Sequence, residues 1–229
     1  MSIENFTGKA EAYAIGRPGY PKAAIETILG LAPTDAVFAD IGAGTGKFTV
    51  KLVESGYSIF AVEPNADMRA QLSITLAPFS NVKIIDSTAE ATTLPNHSVD
   101  ILTVAHALHW FNLDEFRAEC NRIVRPGGLV IAIYNLTPGG EMIHISKKTV
   151  DAFFSKPSTW EFPNPMDYTR DNWFAYIASQ DDHYPLPSDP SYDAHIAALN
   201  AAFDRDSVNG LLHYNRVTKV YCERIELIC

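Results

Sequence analysis

The chain has 229 residues, of which 47% are hydrophobic, and a formal net charge of −9 at neutral pH. This length can bury one substantial core, so a single α/β domain is expected. The 18 Lys and Arg residues form no basic stripe, which argues against a nucleic-acid partner. Cys120, Cys222 and Cys229 have unrelated spacings, which favour neither a disulfide framework nor a zinc site. No apolar run approaches the roughly 18 residues of a membrane span, and the first residues do not resemble a signal peptide. These features predict a cytoplasmic protein that acts on a small molecule, with no nucleic-acid or membrane partner.

Short apolar runs separated by helix-sized segments dominate the sequence up to Tyr134. Strands that are buried on both faces of a parallel sheet have this pattern. The predicted strands are residues 36–41, 58–62, 82–85, 99–104 and 129–134. Amphipathic spacing predicts helices over 47–54, 65–72 and 113–124, the second capped by Asn65 and the third ended by a turn at 125–128. The alternation predicts a doubly wound α/β fold with a mostly parallel, Rossmann-like sheet and helices on both faces.

After Tyr134 the pattern changes to a stretch rich in proline and aromatic residues. We therefore divide the single domain, 1–229, into four segments. They are an N-terminal segment (1–30), a βαβ core (31–136), an inserted lid without further sheet (137–190), and a closing helix with C-terminal strands (191–229).

The segment Asp40-Ile41-Gly42-Ala43-Gly44-Thr45-Gly46 follows the first predicted strand. Ligands of open α/β sheets bind at this turn, and glycines there allow the backbone to approach a ligand closely. Glu63 ends the second predicted strand, where a carboxylate can accept hydrogen bonds from both hydroxyls of a ribose. The loop could also be a simple tight turn and Glu63 a surface acid, but their joint placement favours a nucleoside-type cofactor.

Glycine spacing discriminates between the cofactors that this fold binds. The dinucleotide pattern G-x-G-x-x-G would place its third glycine where Lys47 stands, whereas here Gly46 comes one residue earlier. Asp40 suits an ammonium group better than a pyrophosphate. S-adenosyl-L-methionine carries an amino group, a sulfonium and a ribose but no phosphate. The pattern therefore favours S-adenosyl-L-methionine, with S-adenosyl-L-homocysteine as its product, over NAD.

Further motifs accompany the glycine loop: Tyr13-x3-Arg17-Pro18-x-Tyr20-Pro21, Thr88-Ala89-Glu90-x3-Leu94-Pro95, Ser98-Val99-Asp100, Ala107-Leu108-His109-Trp110-Phe111 and Arg125-Pro126-Gly127-Gly128. With them the chain resembles the class I methyltransferases, and specifically the small-molecule branch that includes trans-aconitate methyltransferase-like and type 11 proteins. The likeness runs from about residue 13 to 134 and returns weakly near 211–224.

The resemblance implies a set of cofactor-binding positions. It places Asp40, Gly42 and Gly44, with Ala43 and Gly46 of the same loop, at the methionine end, Glu63 at the ribose, and Pro64 and Met68 beside the adenine. Many relatives have G-D-A after the third strand, where the aspartate accepts from the adenine amino group. This chain has Ser87-Thr88-Ala89, so the Ala89 N–H contact can remain while Thr88 or Glu90 would have to replace the side-chain contact.

The resemblance also implies that the N-terminal segment covers the cofactor. Tyr13 and Arg17 lie on it, and Arg17 could pair with the methionine carboxylate or with an acidic substrate, because a guanidinium matches a planar carboxylate. Ala105 and His106 would meet the methionyl moiety at the gate to the substrate.

Candidate catalytic residues are His109 and His106, with Tyr13 behind them. A general base is needed for an amine, hydroxyl or carbon-acid acceptor but not for a carboxylate, and the sequence does not decide between these acceptors. The His-x-x-His spacing lacks a third ligand, so no metal is predicted. Trp110 and Phe111 are expected in the pocket wall. Two alternatives stay open, a cofactor-binding protein without turnover and a NAD-dependent oxidoreductase, and the oligomeric state is not predicted.

Overall fold

The computed structural model describes residues 7–180 and 184–225. Cys229 and the first six residues, on which the signal-peptide prediction depends, lie outside the described residues. The helices are α1 (Ala10–Gly16), α2 (Lys22–Gly30), α3 (Thr49–Val53), α4 (Ala66–Leu76), α5 (Leu113–Ile123), α6 (Met142–Phe153), α7 (Arg170–Ala178) and α8 (Tyr192–Asp206), with a 3₁₀ turn at Leu108–Trp110. The strands are β1 (Val37–Ile41), β2 (Ser58–Val62), β3 (Val82–Ile85), β4 (Val99–Ala105), β5 (Val124–Leu136), β6 (Ser158–Pro163), β7 (Met166–Tyr168), β8 (Leu212–Tyr214) and β9 (Val217–Arg224).

Seven strands form the main sheet in the order β3-β2-β1-β4-β5-β9-β6. The strands β1 to β5 are parallel, and β9 is antiparallel to both of its neighbours. The predicted doubly wound, mostly parallel sheet is therefore confirmed. Since Ile41 pairs with Val62, the first two strands end side by side, and the glycine loop lies next to Glu63.

Both faces of the sheet are covered. In β1, Phe38 packs into a core with α2, α3 and α4, whereas Ala39 packs into the opposite core with α5 and α6. Burial on both sides explains why these strands have continuous apolar sequences rather than alternating ones. Asn65 caps α4 as predicted, because its side chain accepts from the Met68 N–H at 3.0 Å.

The predicted turn at 125–128 is wrong. Although α5 ends at Ile123, the chain enters β5 directly at Val124, and the register with β4 shifts between Val99 and Ile101. The proline and glycines are absorbed as an irregularity inside the strand, where Arg125 pairs with Asp100 of β4. Residues that stop a helix can thus lie in a strand if the ladder accommodates extra residues.

The predicted lid at 137–190 is also corrected. Its first helix, α6, places Phe153 in the core beside β4 and β5, and β6 pairs with β9 as the edge strand of the main sheet. The rest joins segments beyond residue 190 around a separate core of Tyr168, Trp173, Tyr176, Phe203 and Leu212. We call β7, α7, α8 and β8, which surround this core, the cap.

The N-terminal helix α1 packs directly against α7 of the cap. A Cβ atom on Gly16 would lie 2.2 Å from the backbone nitrogen of Tyr176, so only glycine permits this approach. Arg17 follows and donates from Nε to Ser179 Oγ at 2.9 Å and from Nη2 to Ser179 O at 3.0 Å. These contacts close the N-terminal segment over the ends of the parallel strands.

Two further findings concern the described residues only. None of the helices in 7–180 and 184–225 is long and apolar enough to cross a membrane. In the same ranges no three His, Cys, Asp or Glu side chains gather as a metal site would require. Cys120 and Cys222 are buried thiols, and burial raises the pKa of Cys222 to about 11.

Candidate active site

A cavity of about 790 Å³ lies at the carboxyl ends of β1, β2 and β4, between the main sheet and the cap. Its lining contains most of the site residues predicted from the sequence: Tyr13, Arg17, Gly42, Ala43, Gly44, Glu63, Pro64, Met68, Thr88, Ala89, Glu90, Ala105, His106 and His109. Among the described residues, the predicted Asp40 and Gly46 do not line it. The sequence therefore located the cavity, and the geometry separates residues that face it from residues that support it.

Glu63 is held rigidly at the edge of the cavity. One carboxylate oxygen accepts from the Gly44 N–H and the other from the Asn65 N–H, both at 2.8 Å. Its side chain is 6% exposed, and burial raises its pKa although these two bonds act in the opposite direction. Arg69 donates to the carbonyls of Glu63 and Pro64, which fixes the turn after β2. Because each carboxylate oxygen can accept more than one hydrogen bond, Glu63 can still bind two ligand hydroxyls.

The glycines of the loop have different tasks. Gly44 has a φ of +57°, and a Cβ atom there would have no neighbour within 4 Å, so its backbone borders open space in the cavity wall. Gly46 has a φ of +87°, and its Cβ would lie 2.8 Å from Leu72 Cδ1 in α4. The first glycine allows a ligand to approach, while the second allows the loop to pack on a helix.

Asp40 lies beneath the loop and does not line the cavity. It is fully buried, and its two carboxylate oxygens accept from Thr49 Oγ1 at 2.6 Å and from Thr103 Oγ1 at 3.0 Å. Burial raises its pKa to about 7, and the neighbouring Glu63 adds to that effect, while the two threonine bonds oppose it. The predicted contact with a ligand ammonium stays a prediction. Asp40 shares the face of β1 with Phe38, which points its side chain into the protein.

The adenine end of the predicted site contains Thr88, Ala89 and Glu90. Ser87 turns away, because its hydroxyl donates to the carbonyl of Thr92 at 2.9 Å. Glu90 accepts from the Asn112 N–H at 2.9 Å, at the start of α5. One oxygen of Glu90 is thus already engaged, which leaves Thr88 as the better candidate to replace the aspartate of the related motif.

Two histidines, His106 and His109, follow β4 and line the cavity. Their rings are 5.7 Å apart, and Tyr134 lies 5.5 Å from His106 and 5.9 Å from His109. His106 has a φ of +57°, a strained conformation for a residue other than glycine. Neither Nδ1 atom has a hydrogen-bond partner within the part of the chain that the structure describes. Burial, followed by the charge of Arg17, lowers the pKa of His109 to about 4, and burial lowers the pKa of His106 well below its ordinary value. Both rings are neutral near pH 7.

The N-terminal cover brings cationic groups to the cavity. The Arg17 guanidinium lies 4.8 Å from the centre of the Tyr13 ring, and Lys47 donates to the Arg17 carbonyl. Burial lowers the pKa of Lys47, with the charge of Arg17 as a second cause. Since Nε and Nη2 of Arg17 bond to Ser179, the pairing of Arg17 with a ligand carboxylate stays a prediction.

Sequence reasoning missed the side of the cavity that the cap provides. Arg216, Tyr176 and Tyr214 line it, although the first lies in the predicted closing segment and the second lies in the predicted lid. Asn135, at the end of β5, also lines it and donates to the carbonyl of Gly19 at 3.1 Å. The sequence did contain an indication of Arg216, because it stands alone between the apolar stretches 211–214 and 217–220. An arginine that such stretches bring into the interior needs a partner, which suggests a binding site.

The strand order, the single antiparallel strand β9 and the cavity at the ends of β1 and β2 define the class I methyltransferase fold. Residues 39–132 match the family described as a methyltransferase domain. The chain is therefore similar to that family over residues 39–132, less than half of its length, and has the fold of class I methyltransferases.

Individual curated proteins and solved structures are similar to this chain. An uncharacterised methyltransferase of Mycobacterium tuberculosis is 38% identical over 135 residues, which cover 59% of this chain and 53% of that protein. The chain thus spans about half the length of the curated relatives it matches. A protein of Anaeromyxobacter dehalogenans, provisionally described as a type II methyltransferase, has the same fold with a TM-score of 0.65 at 23% identity, over 92% of this chain and 98% of its own. Phosphoethanolamine N-methyltransferase 2 of Haemonchus contortus, solved with S-adenosyl-L-methionine, aligns with a TM-score of 0.55 at 15% identity, over 99% of this chain and 60% of its own.

Proposed function

We propose that the chain is a methyltransferase that uses S-adenosyl-L-methionine and transfers its methyl group in line to a small-molecule acceptor. The observation that carries this proposal is the Glu63 carboxylate, fixed by the Gly44 and Asn65 N–H groups at the wall of the cavity. This arrangement suits the two hydroxyls of a ribose. The methyltransferase family of residues 39–132 supports the same cofactor.

The residues around Glu63 fit the rest of that cofactor. Gly44 leaves open space beside the loop, and Pro64 and Met68 offer apolar contact for a purine ring. Ala105 and His106 border the opposite end of the cavity, where the methionyl group would lie. When bound, the cofactor supplies a methyl group that is already activated by its sulfonium.

The chain's own task is placement. Orientation of two reactants in a water-excluding pocket can contribute roughly 7–11 kcal/mol to a displacement reaction. Tyr13 and Tyr176 cover the cavity from the N-terminal and cap sides, and Trp110 and Phe111 form an apolar wall. A neutral His109 can accept a proton from an acceptor, but its low pKa makes it a weak base near pH 7.

The size and charge of the site favour a small acceptor. A cavity of about 790 Å³ lies in the upper part of the range for small-molecule sites, which leaves space beside the cofactor for a second small molecule. The net charge of −9 disfavours a nucleic-acid acceptor. The cysteine spacings favour a reducing compartment, so we place the activity in the cytoplasm.

Calorimetric titration with S-adenosyl-L-homocysteine tests the cofactor assignment. Glu63→Ala is expected to weaken binding by about 100-fold or more, since each charge-assisted bond contributes roughly 1.5–3 kcal/mol. Glu63→Gln keeps the shape and loses the charge, so an intermediate loss is expected. Glu54→Gln, at an exposed acid paired with Lys51, is the matched control and should bind like the parent.

Unchanged affinity in Glu63→Ala would refute the assignment, and tighter binding of NAD than of S-adenosyl-L-homocysteine would favour an oxidoreductase. A metabolite screen with labelled S-adenosyl-L-methionine, read by mass spectrometry, then separates an enzyme from a cofactor-binding protein without turnover.

A further inference from the structure

Arg216 is an unusual side chain in this molecule. It is 4% exposed and lies on the cavity wall, between β8 and β9. Its Nε and Nη2 atoms are shielded from solvent and have no hydrogen-bond partner among the residues in 7–180 and 184–225. Within those ranges no carboxylate forms an ion pair with it. A buried charge without a partner is destabilising by several kcal/mol.

Three tyrosines hold this guanidinium in place. Its Cζ atom lies 4.4 Å from the ring centre of Tyr176, 5.2 Å from that of Tyr214 and 5.5 Å from that of Tyr168. Such contacts stabilise a cation but satisfy none of its N–H donors. The hydroxyl of Tyr168 is a further buried polar group without a partner in the described chain. Unsatisfied polar groups therefore converge at one place beside the cavity.

The surroundings of Arg216 form a positive region in an acidic protein. The guanidinium groups of Arg17 and Arg216 both lie within about 6 Å of the Tyr176 ring centre, at 6.0 and 4.4 Å. Arg17 is engaged with Ser179, whereas Nε and Nη2 of Arg216 have no hydrogen-bond partner among the described residues. His106 and His109 also line the cavity, and burial lowers the pKa of both rings. An anion beside the Tyr176 ring would meet the guanidinium groups of Arg17 and Arg216.

We propose that Arg216 anchors an anionic oxygen group of the methyl acceptor, a carboxylate or a phosphate, on the cap side of the cavity. This inference rests on the proposed function and names the substrate class, an organic anion whose apolar body contacts Trp110, Phe111 and Met142. Glu63 and the glycine loop lie on the other side and serve the cofactor. The anchoring group is thus distinct from the ribose end of the site.

A structural arginine that only stacks on tyrosines is the competing explanation, and Arg170 provides a matched control for it. Arg170 also stacks on an aromatic residue of the cap core, Phe203, at 4.5 Å. Unlike Arg216, it bonds to Asn200 and pairs with Asp204, and it does not line the cavity. Loss of either arginine should disturb the cap, but only loss of Arg216 should affect an anion in the cavity.

The test is calorimetric binding of defined probes to the full chain saturated with S-adenosyl-L-homocysteine. The probes are benzoate, phenylacetate and hexanoate, the neutral amide of each, and phenyl phosphate. We expect at least one anion to bind about 10- to 100-fold more tightly than its neutral counterpart. Arg216→Met should reduce that anion to the affinity of the amide, and Arg170→Met should leave it unchanged. The comparison of carboxylates with phenyl phosphate identifies the anionic group.

The inference is overturned if amides bind as tightly as anions, if Arg216→Met binds anions like the parent, or if none of these anions binds a protein that binds S-adenosyl-L-homocysteine. If Arg216→Met loses its native circular dichroism, Arg216→Lys replaces it, since loss of the planar fork should weaken a carboxylate about tenfold. Equal affinity in the lysine variant would overturn the proposal. Failure of S-adenosyl-L-homocysteine to bind the parent chain would instead refute the proposed function, while selective anion binding that depends on Arg216 would remain.

Discussion

The two sides of the cavity are built in different ways. The cofactor side consists of the glycine loop and Glu63, which lie 19 residues apart at the Gly44–Glu63 bond and meet because two parallel strands end together. The cap side is assembled from the N-terminal segment, α7 and the chain before β9, and its Arg17–Ser179 bond spans 162 residues. A local motif can therefore predict the glycine-loop side of the cavity, whereas the cap side depends on contacts that no short motif records.

The largest expected effect is on the free energy of unfolding and concerns Asp40, which lies beneath the glycine loop. Burial raises the pKa of Asp40 from 3.8 to about 7, so the folded chain holds a proton that the unfolded chain releases. The contribution of this group to the free energy of unfolding is fully present below about pH 4. It decreases as the pH rises to about 7, by up to about 4 kcal/mol in total. Asp40→Asn should lack this loss, as urea unfolding at several pH values can measure. The exposed Asp193→Asn is the control, and parallel pH profiles of Asp40→Asn and the parent would contradict the prediction.

The next effect concerns the junction of α1 with the cap. Gly16→Ala places a methyl group 2.2 Å from the Tyr176 backbone, and we expect a loss of about 3 kcal/mol in the free energy of unfolding. Hydrogen exchange should accelerate in α1 and α7 while β1 and β2 keep their protection. Gly30→Ala, where a Cβ meets nothing within 4 Å, should be neutral or stabilising. Uniform acceleration over the whole sheet would mean that the cap and the cofactor side unfold as one unit.

Two variants of the glycine loop are expected to differ in their effects, one mainly on ligand affinity and the other mainly on the free energy of unfolding. Gly44→Ala adds a methyl group that projects into open space at the cavity, so affinity for S-adenosyl-L-homocysteine should fall more than about tenfold. Its positive φ should also cost the folded state roughly 1 kcal/mol of backbone strain. Gly46→Ala pushes against Leu72, so unfolding should become easier by about 2 kcal/mol with a smaller change in affinity. Calorimetry and urea unfolding of both variants measure the two effects. The reverse ranking would show that Gly46, and not Gly44, borders the ligand.

The smallest effect is expected at the boundary between the two sides. Because the pKa of His109 is about 4, His109→Asn should lower the single-turnover rate by no more than about tenfold and leave cofactor affinity unchanged. The rate of the parent should be flat above about pH 5 as far as this group is concerned. A fall of 100-fold or more, with a rate that follows a pKa near 7, would make His109 an efficient general base.

Most of the fold could be predicted because it depends on local sequence. The bounds of β2 and β3 agree with the apolar runs at 58–62 and 82–85, and Asn65 caps α4 as its position indicated. Glu63 and Gly44 were identified from spacing alone, and they do meet. These predictions depended only on neighbouring residues, but so did the turn predicted at 125–128, which is wrong.

The remainder could not be predicted because it depends on distant contacts. β6 joins the main sheet only through β9, more than 50 residues later in the chain, as the pair Ser158–Cys222 shows. Arg216 becomes a cavity residue only because tyrosines of the cap surround it. The orientation of the Asp40 side chain, by contrast, could have been predicted, because Asp40 and Phe38 lie on the same face of β1.

The bond between Arg17 and Ser179 also has a consequence for the order of folding. Closing a contact over 162 residues is entropically costly, whereas the glycine loop and Glu63 meet over a short loop. We therefore expect the glycine loop and the Glu63 turn to become protected in pulse-labelled hydrogen exchange before α1 is fixed against α7. During synthesis, a nascent chain would hold the glycine-loop side of the cavity while the residues of the cap side were still being made.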